Sequence, residues 1–181
     1  ILVGNMISDF VKGKQKEDYP EDIRKGIMLH RAIDEFTDTH PATSKAKTFF
    51  RPFYRLYAGA FVDIVYDHFL ANDSIVFSEA ALSEFSQNTY RILDNYSGML
   101  PQRFRVMLPY MKKQDWLFNY RYRWGMENSF GGLVRRAQYM DDSKPAFDIF
   151  EKNYASLQDC YVEFMPAVTR YAKEQFSGLL K

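Results

Sequence analysis

Apolar side chains recur at three- and four-residue intervals through most of this chain, the spacing that gathers them on one face of a 3.6-residue helix. Pro20-Glu21-Asp22 reads as a helix start, with acids in the first turn where the helix dipole favours them. That helix is predicted to run to about Asp38, with Pro41 marking a stop or restart. A second stretch covers Ala42 to about Phe50. Pro52 then opens an aromatic, apolar run to Ala71, closed by Asn72-Asp73-Ser74. Further helices are predicted over Ser78–Tyr96, from Pro101 through Met111, over Trp116–Arg123 with Asp115 as N-cap, and over Met126–Met140, loosened at Gly131-Gly132. Ser143 to about Gly178 reads as one long helix or two, kinked at Pro166. No stretch alternates with the two-residue period of a strand, and there is no internal repeat or low-complexity linker. The pattern predicts an all-α fold: a single compact domain of seven to nine helices spanning residues 1–181.

Polar residues interrupt the apolar faces at particular places. Wound at about 100° per residue, Ile23, Ile27, His30 and Asp34 fall within an arc of about 60°. The stripe is apolar for two turns and then becomes a His-Asp pair at i, i+4, which has the reach to bind one cation. The run from Ala58 to Ala71 is apolar or aromatic except for Asp63, Asp67 and His68. Asp63 and Asp67 share a face, and adjacent Asp67 and His68 are read as both reaching one metal centre. Asp9 similarly interrupts Met6, Ile7, Phe10 and Val11. A carboxylate placed among apolar groups is unfavourable by several kcal/mol or more unless it is paired or bound to a cation, so these groups need compensation. A divalent metal would provide it, as would an internal hydrogen-bond network. An imidazole and carboxylate set suits Mn²⁺, Mg²⁺, Fe²⁺ or Zn²⁺, the oxygen-rich balance leaning toward Mn²⁺ or Mg²⁺.

Composition narrows the setting. The 181 residues are 46% hydrophobic, with 16 Phe and 13 Tyr, enough for a substantial core. No apolar run approaches the roughly 18 residues of a membrane span, and no signal peptide is visible. The chain begins at Ile1, so a short N-terminal piece is expected to precede it. The single cysteine, Cys160, excludes an intramolecular disulfide and a Cys-rich zinc site and reads as a small core residue. These points predict a cytoplasmic protein. A net charge of +1 argues against coating nucleic acid by bulk charge.

The same residues carry a family resemblance. Gly4-Asn5, Ser8-Asp9-Phe10-Val11 with Gly13, Gly26-Ile27, His30-Arg31-Ala32-Ile33-Asp34, Thr37-Asp38, Pro41 and Asp67-His68-Phe69-Leu70 resemble the acyl carrier protein phosphodiesterases. Trp116-Leu117, Tyr120, Gly132-Leu133, Arg135-Arg136 and Phe164-Met165-Pro166 extend the likeness over nearly the whole chain. The resemblance implies an all-helical relative of the His-Asp (HD) metal phosphohydrolases. Such an enzyme removes 4′-phosphopantetheine from holo-acyl carrier protein, usually with Mn²⁺. It implies His30, Asp34, Asp67 and His68 as metal ligands and Asp9 as a further ligand or a base for the water. Asp38 and His40 would orient those ligands. Family members typically begin with an Asn-Phe-Leu-Ala-His segment upstream of the part seen here, which is expected to bring one more histidine. Arg31 is placed to meet phosphate, or else to pair with Glu35. Arg135 and Arg136 are candidates for substrate contact or an ordinary solvated face. An acidic carrier protein would dock on a local basic surface, with Lys12, Lys14, Lys16, Arg24 and Lys25 as candidates. Two rival readings stand beside this one: an HD-type phosphohydrolase of nucleotides or other small phosphodiesters, and a non-catalytic helical binding module whose buried His and Asp form a polar network.

Overall fold

The computed structural model, which describes residues 1–137 and 139–179, places helix over most of every amphipathic stretch identified above. Pro52, however, lies inside a helix rather than opening one, and the Trp116–Arg123 stretch is helical only to Asn119 before a new helix begins at Arg123. In chain order the α-helices are α1 Leu2–Ile7, α2 Glu21–Thr39, α3 Pro41–Tyr54, α4 Ala58–Ala71, α5 Glu79–Asn95, α6 Gln102–Lys113, α7 Trp116–Asn119, α8 Arg123–Arg136, α9 Lys144–Lys152 and α10 Tyr154–Leu179. Tighter 3₁₀ turns cover Ser8–Phe10, Gly13–Asp18, Arg55–Tyr57 and Ser97–Met99. No strand occurs among the described residues.

Among the described residues these are ten α-helices rather than seven to nine, and the addition is α1, too short to show a period in the sequence. The C-terminal run is two helices, and the break falls at Asn153. Its amide side chain donates to the Ile149 carbonyl, a side-chain bond that competes with helix continuation. Pro166 instead lies within an uninterrupted α10. The predicted Met126–Met140 helix begins earlier and ends at Arg136; Gln138 lies outside the described residues. Asp115 precedes α7 in the left-handed conformation and does not cap it with its side chain. Its carboxylate accepts from Gln87 at 2.9 Å.

Two apolar cores form. One joins α3, α4, α8, α9 and α10 around Phe50, Phe61, Phe130, Phe150, Leu157 and Cys160, all fully buried. Phe50 and Phe61 stack at 5.6 Å between centroids, and burying each such ring contributes on the order of 2–3 kcal/mol. The other joins α1, the first half of α2, α5 and α6 around Ile7, Ile27, Leu93 and Phe104. Helix α2 belongs to both: Ile23 and Ile27 enter the second core, while Ile33 and Phe36 pack on the first. His30 sits between them, where the helix passes from one core to the other.

α1 meets α2 at a backbone crossing. A Cβ on Gly4 would stand 1.9 Å from the Ile23 carbonyl oxygen, and one on Gly26 would stand 2.0 Å from the Ile1 carbonyl oxygen. Only glycine permits that approach on both sides. The crossing delivers the turn after α1 onto α2 one helical turn beyond Gly26, which is where His30 stands.

Candidate metal centre

The 3₁₀ turn that carries Asp9 is fastened to α2 from both ends. Ser8 Oγ donates to the Ile27 carbonyl at 3.4 Å, and Arg31 Nη2 donates to the Val11 carbonyl at 2.5 Å. Phe10 packs edge-on against Phe104 of α6. Thus held, Asp9 Oδ1 lies 3.2 Å from His30 Nε2, and Asp34 Oδ2 lies 3.1 Å from the same nitrogen. One ligand atom from each of Asp9, His30 and Asp34 falls within 4.8 Å of the others. Burial alone would lower the His30 pKa, but the hydrogen bonds and charges of Asp34 and Asp9 outweigh it and push the value up to about 9. The bond to His30 in turn holds Asp9 below the usual carboxylate range. Two carboxylates converging on one imidazole nitrogen stabilise positive charge at that point, as a proton or as a cation. Both carboxylates are exposed to solvent, so the trio has an open side. The donor set of two oxygens and one nitrogen is compatible with a divalent metal.

Across from α2, helix α4 presents Asp63 and Asp67. Both keep accessible surface, yet protein surrounds them closely enough that desolvation dominates their titration and pushes each up to about 7. Together these features describe carboxyls in a walled, wet recess rather than in a dry core. Asp67, Asp34 and Asp38 add repulsion at Asp63. Lys47 lies near enough to offset part of it, but its ion pair, at 2.7 Å, is with Asp38. The pKa of the Tyr120 phenol is raised by burial first and then by the charge of Asp67, which lies close enough to be felt.

Of the residues expected to gather, the structure brings together Asp9, His30 and Asp34. Asp67 stands apart from that trio, beside Asp63 and Tyr120. His68 turns the other way. Adjacent positions on a helix point about 100° apart, and here that turn carries His68 into the core while Asp67 faces the recess. The His68 ring is edge-on to Phe150 and Tyr154, and both its nitrogens are engaged, Nδ1 with the Tyr120 carbonyl at 2.7 Å and Nε2 with the Tyr154 hydroxyl at 3.1 Å. Burial lowers its pKa. A neutral ring donating from Nδ1 and accepting at Nε2 satisfies this network. His68 is therefore a core strut that ties the end of α7 to α4.

Three more expectations are revised. His40 does not orient a ligand: its Nδ1 accepts from the Ala42 amide and caps α3. Arg31 makes no ion pair with Glu35 among the described residues; its bond to Val11 makes it a brace for the Asp9 turn. Among the basic candidates, Arg24 pairs with Glu17 at 3.2 Å and Lys25 with Glu21 at 3.0 Å, whereas Lys12 and Lys14 are exposed and in no ion pair among the described residues. Arg135 and Arg136 lie at the end of α8 beside a cavity that also receives Tyr120. Tyr120 carries part of the family resemblance, but its place between this cavity and Asp67 was not legible, because spacing alone does not show where one aromatic of an aromatic-rich segment packs.

These shifts have a stability consequence in the metal-free protein. The folded pKa of His30 lies above its ordinary 6.5, so its contribution is complete below about pH 6.5 and is lost as pH rises toward 9. Asp63 and Asp67, raised from 3.8 to about 7, prefer the protonated form when folded, and stability falls as they ionise between about pH 4 and 7. Both effects have the same sign. Urea unfolding without metal should give a lower midpoint at pH 8.5 than at pH 6, and His30→Gln should flatten the part above pH 6.5. A midpoint that rises over this range would contradict the assignment.

Comparison with known proteins adds an independent line. A family model described as acyl carrier protein phosphodiesterase matches residues 1–168. Proteins named acyl carrier protein phosphodiesterase are similar over nearly the whole chain. The one from Yersinia pestis is 31% identical over 176 residues, covering 96% of this chain and 91% of the relative. That from Enterobacter sp. (strain 638) is 30% identical over 175 residues with the same coverage, and that from Escherichia coli O157:H7 is 29% identical over 175 residues. No solved structure matches.

Proposed function

Because the chain belongs to the acyl carrier protein phosphodiesterase family, we propose that it hydrolyses the phosphodiester between 4′-phosphopantetheine and the serine of holo-acyl carrier protein. The products are the apo carrier and 4′-phosphopantetheine. The observation that carries this reading is the convergence of Asp9, His30 and Asp34 on one point with an open side. These three residues would hold a divalent cation, and two carboxylates with one imidazole suit Mn²⁺. When bound, such an ion acts as a Lewis acid on phosphoryl oxygens and lowers the pKa of water.

The chain's own groups supply the rest. Asp67, with its pKa near 7, is tuned to take a proton from water at neutral pH and to return it to the departing serine oxygen. Attack forms a phosphorus–oxygen bond to water's oxygen and breaks the one to the serine. Asp9, held ionised by His30, is the poorer base and the better ligand. Arg31 keeps Asp9 in place rather than touching phosphate. Lys12 and Lys14, just beyond Asp9 in sequence and exposed, offer unpaired positive charge to an acidic carrier protein. No described helix is long and apolar enough to cross a membrane.

Metal dependence separates this enzyme from a binding module. Chelation should stop turnover of holo-acyl carrier protein, and added Mn²⁺ should restore it. If the protein binds no divalent metal and Mn²⁺ restores nothing, the hydrolase reading fails. Mn²⁺-dependent hydrolysis of nucleotides with holo-acyl carrier protein untouched would favour the rival phosphohydrolase.

A further inference from the structure

A cavity of about 160 Å³ opens between α4, α7 and α8, next to the recess that holds Asp67. Ile64 of α4 forms part of its wall, and Trp116, Asn119, Tyr120, Ser129, Arg135 and Arg136 contribute to the rest. The chemistry of this lining is one-sided. Two guanidiniums stand at it, no carboxylate lines it, and neither arginine is in an ion pair among the described residues. Nearby, Arg121 and Arg123 are paired with Glu79 and Glu151, so acids are at hand for the other arginines of this region but not for these two.

The helix surface is shaped to receive the pair. A Cβ on Gly131 would stand 3.2 Å from Arg135 Nη1, and one on Gly132 would stand 3.5 Å from Arg136 Nη1 and 3.8 Å from Arg135 Nη2. The consecutive glycines thus leave both guanidiniums room to lie back along α8, one turn earlier, with a nitrogen of each close to Gly132. Two adjacent guanidiniums without acids match a phosphate's oxygens better than a lysine would. Tyr120 lies close enough to feel both Arg136 and Asp67, so the cavity and the recess share a wall.

We propose that this cavity is the subsite for the phosphate end of the pantetheine arm. Arg135 and Arg136 bind the phosphate, the Asn119 amide and Ser129 hydroxyl meet the arm's polar groups, and Trp116 packs on its methyl-bearing carbons. This deepens the hydrolase reading and rests on it. The subsite would hold the substrate arm before cleavage and the phosphomonoester product after it. Product should therefore leave slowly and inhibit in competition with holo-acyl carrier protein.

Calorimetric titration of the full-length, Mn²⁺-supplemented protein tests this with 4′-phosphopantetheine, pantetheine and inorganic phosphate as probes. The expected result is that 4′-phosphopantetheine binds at least about tenfold more tightly than either probe that lacks half of it. Affinity should fall by at least about tenfold in R135Q/R136Q and stay within about threefold of wild type in R103Q/R105Q, which removes the same charge from exposed positions of α6 outside the cavity. Arg136→Lys, which keeps charge but loses the planar fork, serves if the double variant melts early and should also weaken binding. Arginine variants that fold and bind 4′-phosphopantetheine as wild type does would overturn the proposal, as would inorganic phosphate binding equally well. If affinity ignores the arginines while holo-acyl carrier protein still loses its arm, the subsite is wrong and the hydrolase reading stands. If the arm binds through the arginines but the carrier is never cleaved, the reverse holds.

Discussion

His30→Ala should lower kcat/KM on holo-acyl carrier protein by about three orders of magnitude or more, the scale on which removing a centre of charge stabilisation acts in hydrolysis. The imidazole is the hinge of the trio: Asp9 and Asp34 both approach its Nε2, at 3.2 and 3.1 Å, and among the described residues no other ion pair joins them. Without it the two carboxylates face each other with no neutralising partner, and affinity for a cation drops along with turnover. The ring's side chain retains 25% of its accessible surface, so its loss leaves no sealed cavity and the fold should persist. Far-UV circular dichroism and thermal melting, read beside the kinetics, separate the two effects. His68→Ala makes the informative contrast. It removes a ring that is 3% exposed and bonded at both nitrogens, so it should cost about 2–4 kcal/mol of stability. If His30→Ala retained full activity while His68→Ala lost activity without loss of stability, the roles assigned to the two histidines would have to be exchanged.

Gly26→Val should be the most damaging single change outside the site. The new Cβ would stand 2.0 Å from the carbonyl oxygen of Ile1, the N-cap of α1, and backbone cannot yield as a flexible side chain does. α1 must move away, which costs on the order of 3 kcal/mol or more. It takes the Ser8–Phe10 turn with it, so Asp9 leaves His30. Urea titration and the activity assay should therefore decline together, and the remaining activity should not recover with excess Mn²⁺ even where the protein is still folded. A change in stability below about 0.5 kcal/mol would mean that the crossing is looser than described.

The helical architecture and half of the candidate site could be read from residue order, for a physical reason. A single α-helix is a rigid ruler, so the i, i+4 placement of His30 and Asp34 on an apolar stripe was enough to bring them together. Asp9 was visible as a carboxylate among apolar neighbours, but its partner was not. That pairing depends on two glycines allowing α1 to touch α2, a tertiary fact. His68 shows the opposite case. Its sequence context resembles that of His30, and only the packing of α9 and α10 on α4 decides that it faces core while Asp67 faces water. The bond from Arg31 to Val11 was not legible, because a long side chain beside a ligand can reach either a substrate or a backbone carbonyl, and spacing does not distinguish them. The paired arginines of α8 were legible as residues, but the cavity beside them is assembled from three helices.

We propose removal of the phosphopantetheine arm from its carrier by way of Asp9, His30 and Asp34. It is tested most directly by the intact mass of holo-acyl carrier protein after incubation with the full-length protein and Mn²⁺, in parallel with Asp34→Asn. The carrier should lose the mass of the arm, with free 4′-phosphopantetheine released, and should remain unchanged with the folded variant. An unchanged carrier mass with the wild-type protein, or full conversion by Asp34→Asn, would contradict it.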